Sequence, residues 1–247
     1  MEIFLLLFWL LLLGAAACMA LLRFRAAWTW PTAVGLLGLV LLIWLGLRPQ
    51  LPLEATFFGW SASGFLPDWT WRVDLAAWSM TTWVLLLGTA VALRAFFQPE
   101  RANQPTAPAS LLLLAAAALS VIWSDGFTGL LAGTTLLLTS WLVTLWLAGE
   151  RSTAFLFKGA VLLVGLLLSW PIGSSRTALL GAALLLNVWP LPLWSPKNVV
   201  GETAVTPLTP LLPPLAGALL LIRLLPVAQL SPALSLLLTV LALVGFM

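Results

Sequence analysis

Chemistry in a protein interior needs groups that change charge or bind a metal, and this sequence has few. Its 247 residues include 11 Lys/Arg, 8 Asp/Glu, one cysteine and no histidine. The missing histidine removes the commonest metal ligand, haem ligand and neutral-pH proton carrier. Cys18 stands alone in an apolar run, so no cysteine cluster is available for iron–sulfur chemistry. There is no Gly-rich dinucleotide fingerprint and no Ser/His/Asp set. No catalytic, cofactor-binding or metal-binding residue is therefore expected. What remains is a thin set of polar groups inside long apolar stretches: Thr134, Lys158, Asn187, Thr206 and Thr209. Hydroxyl and amide groups order water but do not change charge near neutral pH, which leaves Lys158 as the one titrating group. The available chemistry is the ordering of water, and at most the passage of an ion, across a membrane.

The elements that would position these groups follow from composition. Hydrophobic residues make up 62% of the chain and charged residues 8%. A soluble domain carries about 45–50% and about 25% respectively, so a water-soluble globule is excluded. A net charge of +3, dispersed along the chain, does not suggest nucleic acid. The lipid bilayer is the expected surrounding. Apolar runs predict an all-α membrane protein of about nine transmembrane helices, near 3–22, 31–48, 75–95, 109–123, 127–148, 154–170, 177–194, 207–225 and 231–247. The first run opens with Met1-Glu2, lacks an early basic residue, and reads as an uncleaved span.

Basic residues between spans set the orientation. Arg23, Arg25, Arg94, Arg101, Arg151, Lys158 and Lys197 fall on one side, and Arg48, Arg72, Arg176 and Arg223 on the other. The richer side is expected to be cytoplasmic. That puts the N-terminus outside and the C-terminus inside, in a bacterial inner (plasma) membrane. Lys158 lies near a span end, where its stem can snorkel to the cytoplasmic face. Asp125 and Arg223 read as interfacial charges. Trp28, Trp30, Trp60, Trp69, Trp71, Trp123, Trp170 and Trp194 fall near span ends, the place of an aromatic belt with wet indole N–H groups. In the polar stretch 49–74, 57–60 and 69–73 have strand-like composition and predict a small outer hairpin. The segment 96–108 reads as a flexible cytoplasmic link.

Prolines interrupt two late spans. Pro190, Pro192 and Pro196 follow Asn187, and Pro207, Pro210, Pro213 and Pro214 surround Thr209 just after Thr206. Each internal proline removes a backbone donor and frees a carbonyl, which in hydrocarbon must find a partner inside a bundle or beside a wet cavity. Broken helices are expected near 187–196 and 206–214, and transporters place ion sites at such breaks.

These same residues carry a family resemblance. The stretch Gly181 to Pro196, with Asn187, Pro190 and Trp194, followed by Glu202 to Pro207, resembles the antiporter-like membrane subunits of respiratory complex I and of Mrp-type cation antiporters. Val73 to Ser79 is similar to the start of that family's third helix, and Asp125 to Trp141 to its fifth. The resemblance implies leading helices over 1–108, with the outer loop 49–74, and one five-helix repeat over 109–247. It also implies a half-channel built on a glutamate in the fifth helix, a lysine in the broken seventh and a lysine or histidine in the eighth. This chain departs from that set at every place. Thr134 stands about where the glutamate belongs, Leu185 at the lysine, Pro192 at the histidine, and 207–222 holds no ionisable residue.

The expected function is therefore a structural or accessory membrane subunit of a complex I-like or Mrp-like proton- or cation-translocating assembly, with an impaired or absent relay of its own. Its partners would be other membrane subunits. Any NADH–quinone oxidoreductase chemistry would belong to them. The alternative is an active proton or sodium half-channel, with Lys158 titrating and Thr134, Asn187, Thr206 and Thr209 holding a water chain; Pro190 and Pro207 would break its helices. A third reading, a pigment- or cofactor-binding protein lined by Trp and Phe, lacks the usual axial histidine.

Overall fold

A computed structural model describes residues 3–58, 69–97 and 105–147, together with Ala160, Leu163 and Val164. Five α-helices account for most of it: α1 (Ile3–Phe24), α2 (Thr29–Gly46), α3 (Leu75–Phe97), α4 (Ala107–Trp123) and α5 (Gly126–Leu147). They fall on the first five expected spans. Ala160, Leu163 and Val164 are helical, within the expected sixth. The seventh to ninth spans and the breaks near 187–196 and 206–214 lie outside the described residues. By chain contacts the protein divides into two compact units, 1–150 with 201–207, and 151–200 with 208–247. All five helices belong to the first.

Among the described residues, three segments are long and apolar enough to cross a membrane: Ile3–Phe24, Ala26–Gly46 and Leu75–Phe97. Each buries one stripe and exposes another. In α2 the inner stripe is Ala33, Leu37, Val40 and Trp44, while Leu42 on the far side is 70% exposed. Trp83 of α3 is 74% exposed. Large apolar side chains turned outward along whole helices suit hydrocarbon, not water. The protein is an integral membrane protein.

α4 follows a different rule. Every residue from Ala107 to Trp123 is buried except Leu113, which is half-buried. Ala115 to Ala118 give the helix a thin waist, so α1, α2, α3 and α5 all pack against it. Its 17 residues rise about 25 Å, less than the bilayer's hydrocarbon core of about 30 Å. A helix surrounded by other helices need not match the lipid.

A three-stranded antiparallel sheet joins the helices at one end. β1 (Leu53–Phe58) pairs with β2 (Trp69–Val73) in the register Glu54↔Arg72 and Ala55↔Trp71. The hairpin is the one that strand-like composition predicts, with its first strand starting earlier. β3 (Ser124–Asp125), between α4 and α5, adds to β2 through Trp71↔Ser124 and Thr70↔Asp125. Strand alternation sorts β2: Trp71 and Val73 are buried and Arg72 is exposed. Arg72 Nε lies 3.3 Å from Glu54 Oε1, with both side chains more than half exposed, so this pair contributes at most about 1 kcal/mol.

Directly after β2, Asp74 caps α3. Its Oδ1 accepts the Ala77 N–H at 2.7 Å, satisfying one of the donors that a helix start leaves open. The sequence reading matched Asp74 to a family motif, and its visible work is to start the helix.

Candidate functional site: the joint between α4 and α5

The chain turns from α4 into α5 through Ser124 and Asp125, and the two helices pack closely there. Small residues recur four apart on each side: Ser120 and Ser124 on the first, Gly129 and Gly133 on the second. Such small-xxx-small pairs let backbones approach within membranes, where dispersion and hydrogen bonds replace the hydrophobic drive. At Gly133 the approach is tight. A Cβ placed there would lie 2.9 Å from the Ser120 carbonyl oxygen, 2.9 Å from Ser124 Oγ and 3.0 Å from Val121 Cα.

The joint is polar within. Ser120 Oγ donates to the Ala117 carbonyl at 2.7 Å. Ser124 Oγ lies within hydrogen-bond distance of the Ser120 carbonyl and of the Gly129 carbonyl, the latter at 2.7 Å. It thereby fastens the end of α4 to the first turn of α5. Thr134, one residue beyond Gly133, is fully buried, and its hydroxyl finds no hydrogen-bond partner among the described residues. Asp125 is half-buried in β3.

An aromatic cluster sits against this joint at the sheet end. Trp123 stacks on Trp44 with centroids 5.3 Å apart and 21° between planes. It meets Phe4 edge-on at 5.4 Å and Trp71 at 5.6 Å. Phe8 closes on Trp71 at 5.0 Å. The Trp123 indole N–H donates to Thr81 Oγ1 at 3.0 Å, which places a buried threonine of α3 under the cluster. Beside it, Trp44 and Trp78 exchange indole N–H bonds to each other's backbone carbonyls, both at 3.3 Å. The Arg48 guanidinium lies over the Trp78 ring, 5.4 Å from its centre.

Two belt assignments are corrected here. Trp71 and Trp123 sit near span ends, as read, but both are fully buried. Position along a helix fixes depth, not direction, and the sheet folds over this end and covers them. Trp28, 57% exposed, keeps a belt-like position.

Of the candidate residues, only Thr134 falls within the described region. Lys158, Asn187, Pro190, Thr206, Pro207 and Thr209 lie outside it. The residues missed by the sequence reading are Ser120, Ser124, Gly133, Thr81 and the Trp44–Trp123 pair. The spacing of Ser120/Ser124 and Gly129/Gly133 is the signal that marks the joint.

No family model matches the sequence, and no curated protein does. Among solved structures, a chain from "Structure of the membrane-bound sulfane sulfur reductase (MBS), an archaeal respiratory membrane complex" superposes with a TM-score of 0.71. The two share a fold. The match covers 91% of this chain and 40% of that one, at 15% sequence identity. This chain thus spans well under half the length of its structural neighbour.

Proposed function

We propose that the chain is a structural or accessory membrane subunit of a respiratory, complex I-like or Mrp-like, ion-translocating assembly, with an impaired or absent proton relay of its own. The carrying observation is the fold shared with a chain of an archaeal respiratory membrane complex. The interior chemistry supports the second half. Among the described residues, the buried polar side chains other than the tryptophan indoles and the Cys18 thiol are Thr29, Thr81, Ser110, Ser120, Ser124, Thr134, Ser140 and Thr144. All are hydroxyls, which neither take up nor release a proton near neutral pH. A relay needs groups that do. In this reading 1–108 supplies leading helices and 109–247 a five-helix repeat, completing nine spans, and partner subunits carry any redox chemistry.

Capture of the tagged protein in mild detergent tests the assembly. Complex I-like or Mrp-like membrane subunits are expected in the co-purifying set, identified by mass spectrometry. A chain that purifies only as a homodimer contradicts the proposal. In the same preparation, reconstituted vesicles of the isolated chain are expected to show no proton or sodium flux above protein-free vesicles.

A second reading, an active half-channel, has one observation in its favour: the buried Thr134 hydroxyl without a partner among the described residues. It predicts flux from the purified chain that Lys158→Ala abolishes, with Asn187, Thr206 and Thr209 lining the path and Pro190 and Pro207 opening it.

Orientation is proposed from the described ends of the bundle. Arg23 ends α1, Arg25 follows in the link, and Arg94 ends α3. The sheet end carries Arg48, Glu54, Arg72, Asp74 and Asp125. Among the described residues, the first end holds three arginines and the sheet end two, and the richer end suits a cytoplasmic face with an external N-terminus. Single cysteines placed at Arg25 and at Thr56, in a Cys18→Ala background, are expected to differ in intact cells. The second reacts with a membrane-impermeant maleimide and the first only after permeabilisation. The opposite pattern inverts the topology.

A further inference from the structure

α3 buries one side, through Thr81, Leu85 and Gly88 among others, and exposes the other. The outer stripe is Met80, Trp83, Leu87, Ala90, Arg94 and Phe97, spaced alternately three and four residues apart. A stripe with that spacing is the seam along which a second helix packs. Lipid tails suffice to cover such a stripe when all of it is apolar. Two of these six groups are not.

Trp83 is the first. It lies about 12 Å along a helix of about 34 Å, which places it inside a hydrocarbon core of about 30 Å and short of the interface that tryptophan favours. Trp44, Trp78 and Trp123 each direct the indole N–H to a protein acceptor. Trp83, 74% exposed, reaches none among the described residues. An N–H donor without an acceptor is costly in hydrocarbon, where no water replaces the missing bond. Arg94 is the second. Eleven residues bring the helix back to the same face within about 20°, and about 16 Å further from the sheet. Arg94 is exposed, and the ion pair among the described residues is Arg72 with Glu54, elsewhere. α3 itself contains no acidic residue.

The stripe therefore presents donors at two heights and no carboxylate. A second copy of the chain does not complement it. Two copies inserted the same way, related by a two-fold axis along the membrane normal, would set Trp83 against Trp83 and Arg94 against Arg94. Donor would face donor, and charge would face like charge. The complement is a different helix with the opposite polarity.

We propose that this stripe of α3 docks a transmembrane helix of a partner membrane subunit, with a hydrogen-bond acceptor opposite Trp83 and a carboxylate about 16 Å away opposite Arg94. The inference rests on the accessory-subunit reading and names the face by which the chain joins its assembly.

A photoreactive residue in place of Leu87, between the two groups, tests this with the whole chain in its native membrane. The adduct is expected on a transmembrane segment of another membrane subunit, one with Asp or Glu near the end that meets Arg94. Combining Trp83→Phe with Arg94→Gln is expected to lower adduct yield and partner co-purification by about tenfold or more, as a neutral and a charge-assisted bond are lost. The melting temperature of the isolated chain should not move, because neither side chain packs within it. Adducts with lipid alone, with residues 151–247 of the same chain, or with a second copy overturn the proposal. A lower melting temperature for the double variant does so as well. Partners that co-purify equally with wild type and double variant overturn the surface and leave the accessory reading standing, whereas a wild type that captures none overturns both.

Discussion

Replacing Trp123 with alanine is expected to undo the sheet end of the bundle. The side chain is fully buried at the last residue of α4, and it touches α1 through Phe4, α2 through Trp44, β2 through Trp71 and α3 through Thr81. Truncating a buried aromatic to alanine costs about 3–5 kcal/mol, because the surroundings only partly collapse into the space. Here the aromatic contacts are lost as well, each worth about 0.5–1.5 kcal/mol beyond its burial. In a chain of this size, about 1 kcal/mol moves the midpoint by roughly 2–4 °C, so Trp123→Ala should lower the melting temperature in detergent by about 10 °C or more. Trp123→Phe keeps a ring against Phe4 and Trp44 and loses the bond to Thr81, so its loss should be a fraction of that. If alanine and phenylalanine melt together, the rings are not what holds this end, and the Thr81 hydrogen bond is.

Trp123 also shows why some of this protein can be read from its sequence and some cannot. The helices can be read, because a membrane span is defined by length and apolarity, and both are one-dimensional. Expected 75–95 became Leu75–Phe97, and 127–148 became Gly126–Leu147. The hairpin can also be read, since Trp69 to Val73 has the aromatic and β-branched composition that a pleated surface favours. β3 cannot: a strand of Ser124 and Asp125 has no pattern of its own and exists because Trp71 and Thr70 offer it an edge. Once that edge is taken, the sheet covers Trp71 and Trp123. The belt reading then fails at those two residues, whereas Trp28 stays exposed.

The site was hidden for a related reason. A search for ion chemistry looks for groups that titrate, and it finds Thr134 only as a replacement for a carboxylate. The backbone approach at Gly133 and the paired serines are invisible to such a search. They make sense only when both helices are laid side by side.

Gly133→Val should produce the second large effect, through excess volume instead of lost contacts. Two of the three atoms nearest an added Cβ belong to backbone, the Ser120 carbonyl oxygen at 2.9 Å and Val121 Cα at 3.0 Å. Backbone cannot rotate away as a side chain can, so α4 and α5 must separate. Ser124 then loses its hold on the Gly129 carbonyl, and β3 is drawn off β2. Overpacking costs about 1–3 kcal/mol where neighbours can adjust, and a branched side chain against fixed backbone belongs at or above the top of that range. Helix propensity works against a false result. Glycine in a helix interior is worse than alanine by about 1 kcal/mol, so a glycine with room around it should gain from substitution. Gly38 of α2 has that room, with nothing within 4 Å of an added Cβ. Gly38→Ala should hold or raise the melting temperature of the purified chain, and Gly133→Ala should lower it. Gly133→Val should lower it most, with faster amide exchange in the first turns of α5. Equal behaviour at the two glycines would mean that α4 and α5 have slack between them, and that the close joint does not hold this end of the bundle.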